Sequence, residues 1–440
     1  MVYIRGDRSD FDGWSERGCL GWDYDSVLPY FVKAENNSRL GESLHGQSGP
    51  LHVEDRMFTH ELSHNWVSAA GEWGLANTDD FSGAAQIGSG AYQVSCHEGR
   101  RWSGADGYLR PALDRPNLTV RVNAQATRIL LDGTRATGVA YVHDGTEVAA
   151  HAGSEVILAG GTINSPQLLL LSGIGPSGPL RALGIDVVSD LPGVGGNLHD
   201  HTMTPIVWAT QGSTDLLELA SPENFALWQS RHGGPFASNG AEVGGFLSTI
   251  GDGIPNVQFI GGPTSFVDHG HFAPPLPNFT MNAAVPRPRS RGRLWLGSAD
   301  PLAPPRIHPA YFSDPADVHD VIAGLSAAIE IAQQPSLRKF LKELNLPTEA
   351  NPDQAGLAVH ARKWSQTEYH PVGTCAMGVD ERAVVDPDLK VRGIDGLRVV
   401  DASVMPAIIS GNTNAATVMI AEKGADLIKN SRHPKSDTRC

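Results

Sequence analysis

The sequence predicts a mixed architecture, an α/β part joined to an α+β part, and three observations carry that expectation. Short apolar strands at residues 155–159 and 397–401 each run into small residues and then a helical segment, which is α/β layering. Between them, from about residue 202 to 310, the chain is proline-rich and strand-like in pieces, as an antiparallel sheet would be. Glycine (49) and proline (30) are abundant but aperiodic in 440 residues, which excludes a collagen-like fibre and fits a loop-rich enzyme.

That length suits two domains sharing one large interface. A formal net charge of −14 repels phosphate backbones, so nucleic acid is not an expected partner. No apolar run reaches the roughly 18 residues that span a bilayer. The opening Met1-Val2-Tyr3-Ile4-Arg5-Gly6-Asp7 lacks the basic-then-apolar layout of a signal peptide. Cys19, Cys96, Cys375 and Cys440 are scattered with no C-x-x-C, which points to a reducing, cytoplasmic setting without structural zinc or a disulfide framework.

The first hundred residues read as irregular wrapping segments with short aromatic patches. Leu118–Val122 and Thr127–Leu131 read as strands, the second ending at a turn at Asp132-Gly133. A hairpin of residues 136–143 and 146–150 turns at Asp144-Gly145. Strand 155–159 then passes through Gly160-Gly161 to Ser165 as helix N-cap and Pro166 as first helical residue, with the helix stopping at Gly173. Such a helix start aims backbone N–H groups at one point, where an anion fits. Strands are expected at 257–260 and 293–296, and a solvent-exposed helix at 315–333. A helix at 353–364, a strand at 397–401 and a helix from Asn414 to about Lys429 complete the chain.

Several motifs are decoys. Gly173-Ile174-Gly175-Pro176-Ser177-Gly178 is a G-x-G-x-x-G that follows a helix instead of a strand, so it is set aside. Arg287, Arg289, Arg291 and Arg293 fit a hairpin with a solvated face better than an anion site. His269 and His271 lack a third ligand nearby and read as loop histidines; no metal site is expected.

Two segments carry chemistry. In Glu368-Tyr369-His370-Pro371-Val372-Gly373-Thr374, the proline ends any helix before the histidine and fixes it on a rigid turn, as a general base requires. A hydrogen-bonded loop histidine is the plainer alternative there. In Val400-Asp401-Ala402-Ser403, followed by Gly411-Asn412-Thr413-Asn414, an acid at a strand end and polar helix caps form a rim for a polar ligand.

These residues together resemble the glucose–methanol–choline (GMC) family of flavin oxidoreductases, in its choline-dehydrogenase-like alcohol dehydrogenase branch. The resemblance runs through Met1–Gly6 with Asp10–Trp14, Gly46 with Gly49-Pro50-Leu51, and Arg115–Val120. It continues through Gly160–Leu169, Leu191–Gly195 with Asn197-Leu198 and Asp200-His201, then Tyr369-His370-Pro371 with Gly373-Thr374 and Met377-Gly378, and last Leu397–Pro406 with Asn412. It implies a GMC oxidoreductase fold, an FAD-binding Rossmann-like domain beside an antiparallel-sheet substrate domain. The implied division is 1–201 for FAD binding (with wrapping segments of the substrate domain in 10–100), 202–384 for substrate binding, 385–430 for the rest of the FAD domain, and 431–440 as a tail. The family's opening βαβ unit with its own G-x-G-x-x-G is missing, so the FAD domain is expected to be N-terminally truncated, through a mis-assigned start or a fragment.

The resemblance implies FAD-dependent oxidation of a small-molecule alcohol to an aldehyde, with electrons passing on to a quinone, a carrier protein or oxygen. His370 matches the family's base and Asn412 its oxygen-orienting partner. FAD contacts are implied at Met1 and Val2 near the ring, Ala126 on the adenosine side, Asp401-Ala402, and Asn412-Thr413. Glu242 is the candidate for a cationic substrate group. A homodimer is compatible with the family. The competing readings are a flavin-bound hydroxynitrile-lyase-like enzyme and an inactive fragment unable to hold FAD.

Overall fold

A computed structural model describes residues 1–274, 277–349 and 351–432. Of the tail expected at 431–440, residues 433–440 lie outside the described residues, and 431 and 432 belong to the last helix. The first hundred residues are more regular than expected: they hold helices α1 (Arg8–Glu16), α2 (Tyr24–Ala34) and α3 (Glu61–Trp73). Polar caps explain this. Asp7 accepts the Ser9 N–H while Asp10 accepts the Asp7 N–H at 2.8 Å, a capping box, and Asp23 accepts from Ser26. The aromatic patches are then helix faces: Phe11, Trp14, Phe31 and Trp66 are buried.

Strand β1 (Gly88–Ala91) precedes a meander of β2 (Ala124–Asp132), β3 (Arg135–His143) and β4 (Thr146–His151), paired as expected. Asp144 and Gly145 both have positive φ, the turn that matches strand twist. Leu118–Val122, expected as a strand, has no regular structure and is exposed; among the described residues it finds no strand partner, and without a ladder an alternating pattern does not hold.

Strand β5 (Val156–Leu158) leads into α4 (Gly161–Leu171). The helix begins a turn earlier than expected, so Ser165 is not its N-cap and Pro166 lies inside it. Proline has no N–H to offer the carbonyl four residues back. That carbonyl, of Thr162, instead accepts the Thr374 hydroxyl at 2.6 Å, tying α4 to the turn that carries His370.

Next come β6 (Thr202–Thr210), β7 (Val243–Leu247), β8 (Val257–Gly262), β9 (Asn278–Ala284), α5 (Pro315–Ala332), β10 (Leu341–Leu346), α6 (Gln354–Trp364) and β11 (Gln366–Thr367). With β1 they form a seven-stranded antiparallel sheet ordered β10-β6-β9-β8-β7-β1, with β11 also paired to β6. The two-residue alternation of strands divides its faces. Val257, Phe259, Phe279, Met281 and Ala283 pack with α3 and α5, while Met203, Ile260, Thr280 and Asn282 face a cavity. The α5 helix, expected on the surface, is instead a core helix: Val321, Leu325, Ala328 and Ile331 are buried. Its many alanines and Gly324 let it lie close to the sheet; a methyl at Gly324 would come within 2.8 Å of Val257.

The chain closes with β12 (Leu397–Val399), parallel to β5, and α7 (Asn414–Arg432). Of the arginine series, Arg287 is held at 2.6 Å from buried Asp10, while Arg289, Arg291 and Arg293 are exposed as expected.

Candidate active site

A cavity of about 1120 Å³ lies between the sheet and the β5–β12 half of the molecule. Its floor is the inner sheet face. The opposite wall is largely backbone: Gly160–Asn164 at the start of α4, Ala402 after β12, and Asn412–Asn414 at the start of α7, with Met1 and Val2 alongside. Expected site residues His370, Asn412, Met1, Val2, Ala402 and Thr413 all line it.

The turn carrying His370 is held from several sides. The His370 N–H donates to Asp200 at 2.9 Å, and the same carboxylate accepts the hydroxyls of Thr367 and Tyr311. Thr162 Oγ1 donates to the Pro371 carbonyl at 2.7 Å. Tyr369, next to the histidine, sits at φ +62°, a left-handed conformation unusual for a bulky residue. Gly373, at φ +93°, leaves no room for a side chain, since a Cβ would meet the Asn197 carbonyl at 2.5 Å.

Hydrogen bonds assign the proton positions along this site. His201 Nε2 lies 2.9 Å from the Pro286 carbonyl, an acceptor, so Nε2 carries the proton and Nδ1 is a lone pair. His370 Nδ1 stands 3.0 Å from His201 Nδ1 and must therefore donate to it. His370 Nε2 is left unprotonated. It faces Asn412 Nδ2 at 3.2 Å, and the amide orientation follows from Gln258, whose Nε2 reaches Asn412 Oδ1 at 3.5 Å. Burial keeps both rings neutral: it brings His201 down to about 4, and burial followed by the neighbouring His201 holds His370 well below the ordinary histidine range.

Glu368 is the third titratable group here. Donor atoms of His201, Glu368 and His370 lie within 4.8 Å of one another. Among the described residues the Glu368 carboxyl has no hydrogen-bond partner, and burial, then the nearby Asp200 carboxylate, pushes it up to about 8.

Three expected residues stand elsewhere. Glu242 is not at the cavity surface; its carboxylate is buried and accepts from the His60 N–H at 2.9 Å and the Ser63 and Ser238 hydroxyls at 2.6 Å each. Those three donors absorb its charge, so it does not face a substrate. Asp401 does not line the cavity either. Its carboxylate accepts from the Gly161 N–H at 2.9 Å, the Ser165 hydroxyl at 2.6 Å and Ser403, so the anion expected at the start of α4 is this side chain of the protein itself. Ala126 pairs with Tyr141 in the β2–β3 ladder, away from the cavity wall. His269 meets the Tyr369 hydroxyl at 2.6 Å. Reasoning from sequence gave no role to His201, Gln258 or Glu368. Asp200-His201 had stood out only as a pair in the resemblance, and nothing in the sequence marks Gln258, whose place depends on strand register.

Comparison with known proteins finds relatives along most of the chain. Residues 1–203 and 288–421 match the two family models described as GMC oxidoreductase. The chain is 42% identical over 445 residues to mitochondrial choline dehydrogenase of Mus musculus, covering 99% of this chain and 74% of that protein. It is 40% identical over 437 residues to alcohol dehydrogenase [acceptor] of Pseudomonas putida, covering 97% and 79%. It is 41% identical over 438 residues to the oxygen-dependent choline dehydrogenase of Paraburkholderia phymatum, covering 98% and 76%. Among solved structures, pyridoxine 4-oxidase from Mesorbium loti superposes with a TM-score of 0.89 at 27% identity, covering 98% of this chain and 82% of that one. Formate oxidase superposes with a TM-score of 0.89 at 25% identity and the same coverage. With two family models matched and these relatives about 40% identical over nearly all of this chain, the chain is an oxidoreductase that belongs to the GMC oxidoreductase family.

Proposed function

We propose that the protein oxidises a primary alcohol to an aldehyde with FAD as cofactor, His370 taking the hydroxyl proton. The observation that carries this reading is the unprotonated Nε2 of His370 beside the Asn412 amide at the cavity wall. A neutral imidazole with its lone pair aimed at the cavity is what proton abstraction needs. The Asn412 N–H that now reaches Nε2 is free to turn to an alcohol oxygen, holding the hydroxyl toward the base. His201 keeps the ring in the productive tautomer and accepts a stronger bond once His370 is charged.

The cavity fits a flavin. Its volume of about 1120 Å³ exceeds that of most small-ligand pockets. Gly161 has open space where a side chain would stand, so the wall offers backbone to a flat ring. Met1, Val2, Ala402, Asn412 and Thr413 would hold it, with Asp401 bracing the α4 start behind them. FAD, when bound, supplies the acceptor for the hydride leaving the alcohol carbon. A quinone, a carrier protein or oxygen then takes the electrons. A reducing compartment remains part of the proposal, on three buried cysteines, Cys19, Cys96 and Cys375, that are unpaired among the described residues. The mouse relative's name carries a mitochondrial address instead of a cytoplasmic one.

The test is spectroscopic. Purified protein loaded with FAD should lose its yellow absorbance on anaerobic addition of alcohol and yield aldehyde in equal amount. Colour that persists while a substrate is consumed would mark lyase chemistry and end the proposal.

A further inference from the structure

A second pocket, of about 190 Å³, shares no lining residue with the larger cavity, and arginines dominate it. Arg17 follows the end of α1, while Arg289 and Arg291 come from the loop after β9, far away in sequence. Arg287 also lines the pocket but is already matched: it donates to the Asp10 carboxylate and to the Ser9 hydroxyl at 2.6 Å each. Asp10 is the one acid in the lining. It is spent, since it also accepts the Asp7 N–H and both the N–H and the hydroxyl of Ser410. Among the described residues, the exposed side chains of Arg17 and Arg289 make no hydrogen bond or ion pair. Arg291 donates to the Pro288 and Ser290 carbonyls at 2.7 and 3.0 Å, which aims its guanidinium without neutralising it.

Acids at the start of α5 are turned to other donors, and none of them lines the pocket. Asp317 accepts the Arg289 and Ser290 N–H groups at 2.7 and 2.9 Å, Asp314 the Ala316 N–H, and Asp320 the Asn256 amide. His199 uses both ring nitrogens, accepting the Ile408 N–H at 3.3 Å and donating to Asn197 Oδ1 at 2.9 Å, so it adds neither charge nor acceptor. Burial, then Arg17, pulls Arg291 below the usual guanidinium range, as expected where like charges meet. Arginine forks match oxygen anions, and a phosphate monoester brings close to two charges on three oxygens that can be reached from several sides. A lone carboxylate brings one charge in one plane and satisfies one fork. The pocket is smaller than the roughly 300 Å³ at which sites for drug-sized ligands begin, so its ligand is small. We infer that this pocket binds a phosphate dianion, free or carried by a small molecule, with Arg17, Arg289 and Arg291 donating to its oxygens. The arginine series that reads in sequence as one solvated face is thereby divided: Arg293 stacks on Trp295 at 4.8 Å, outside the pocket. Binding here is independent of alcohol oxidation, so neither outcome decides the other.

Isothermal titration of the FAD-supplied protein with inorganic phosphate and with ethyl phosphate, at constant ionic strength set by NaCl, tests it. At least one should bind with a Kd of about 1 mM or tighter, and acetate should bind about tenfold more weakly or worse. Tighter ethyl phosphate assigns the pocket to a phosphate monoester, and tighter inorganic phosphate assigns it to the free ion. Arg17→Gln combined with Arg289→Gln should weaken binding by about tenfold or more, through the loss of charge-assisted bonds. Neither side chain is bonded to the fold, so the Tm of that double variant in phosphate-free buffer should match the parent's. Arg17→Glu, a second route that reverses one charge, should weaken binding more than Arg17→Gln. Arg293→Gln should bind phosphate as the parent does. No binding at about ten times the stated concentration, equal affinity for acetate, or unchanged affinity in the double variant or in Arg17→Glu overturns the inference. So does an equal loss in Arg293→Gln, which would mark diffuse attraction to surface charge.

Discussion

His201 and His370 face each other Nδ1 to Nδ1 at 3.0 Å, and the Pro286 carbonyl on the far side of His201 decides which of them donates. The His370 tautomer is thus set by a carbonyl it never touches. Replacing His370 with alanine removes the proposed proton acceptor, and kcat should fall by roughly a hundredfold or more. Stopped-flow reduction of bound flavin measures this directly; unchanged turnover would assign the proton to another group.

His201 acts through His370, so a shape-filling residue and an accepting residue should differ. His201→Leu should cost about ten- to a hundredfold in kcat, because nothing then fixes the His370 tautomer. His201→Gln, whose carbonyl can accept the Nδ1–H, should recover most of that loss. Equal activity of the two variants would reduce His201 to packing.

The pH dependence follows from burial. His370 lies well below the ordinary histidine range, so the neutral base persists on acidification and the acid limb of kcat/KM should fall below the usual pH of about 6.5. A limb at or above that value contradicts a dry site around His370.

Stability should carry the opposite signature at Glu368. Its carboxyl is raised from 4.5 to about 8, so the folded state holds a proton that the unfolded chain has lost across that window, and stability falls as pH rises through it. The slope is at most about 1.4 kcal/mol per pH unit. Glu368→Gln removes the effect, so the variant's Tm relative to the parent should be higher at pH 8 than at pH 5. A difference independent of pH would mean that the carboxyl is ionised throughout.

Glu242→Ala leaves the His60 N–H and two serine hydroxyls without their acceptor, and should destabilise the fold by about 2–3 kcal/mol in denaturant unfolding. The preference between charged and neutral alcohols should not move. A changed preference would return Glu242 to the substrate.

The α/β and antiparallel parts were legible where the signal was local. Asp144-Gly145 named its turn, and β5 and β12 showed as short apolar runs ahead of small residues. The place of His370 on a proline-locked turn at the cavity was legible for the same reason. Long-range pairing was not. Glu242 and Glu368 are both buried glutamates, and only the fold shows that serine hydroxyls bond the first and that, among the described residues, no hydrogen-bond donor reaches the second. Pro166 looked like a helix start because proline favours one, but the freed Thr162 carbonyl has a partner more than two hundred residues away in sequence.

Tyr369 holds its left-handed conformation immediately before His370. Glycine would adopt that conformation freely, so Tyr369→Gly should relieve local strain of about 1 kcal/mol or more while slackening the turn beneath the imidazole. Selection for thermal tolerance alone would therefore draw this position toward glycine. The bulky residue found there means that the turn beneath His370 is kept stiff at a cost in robustness.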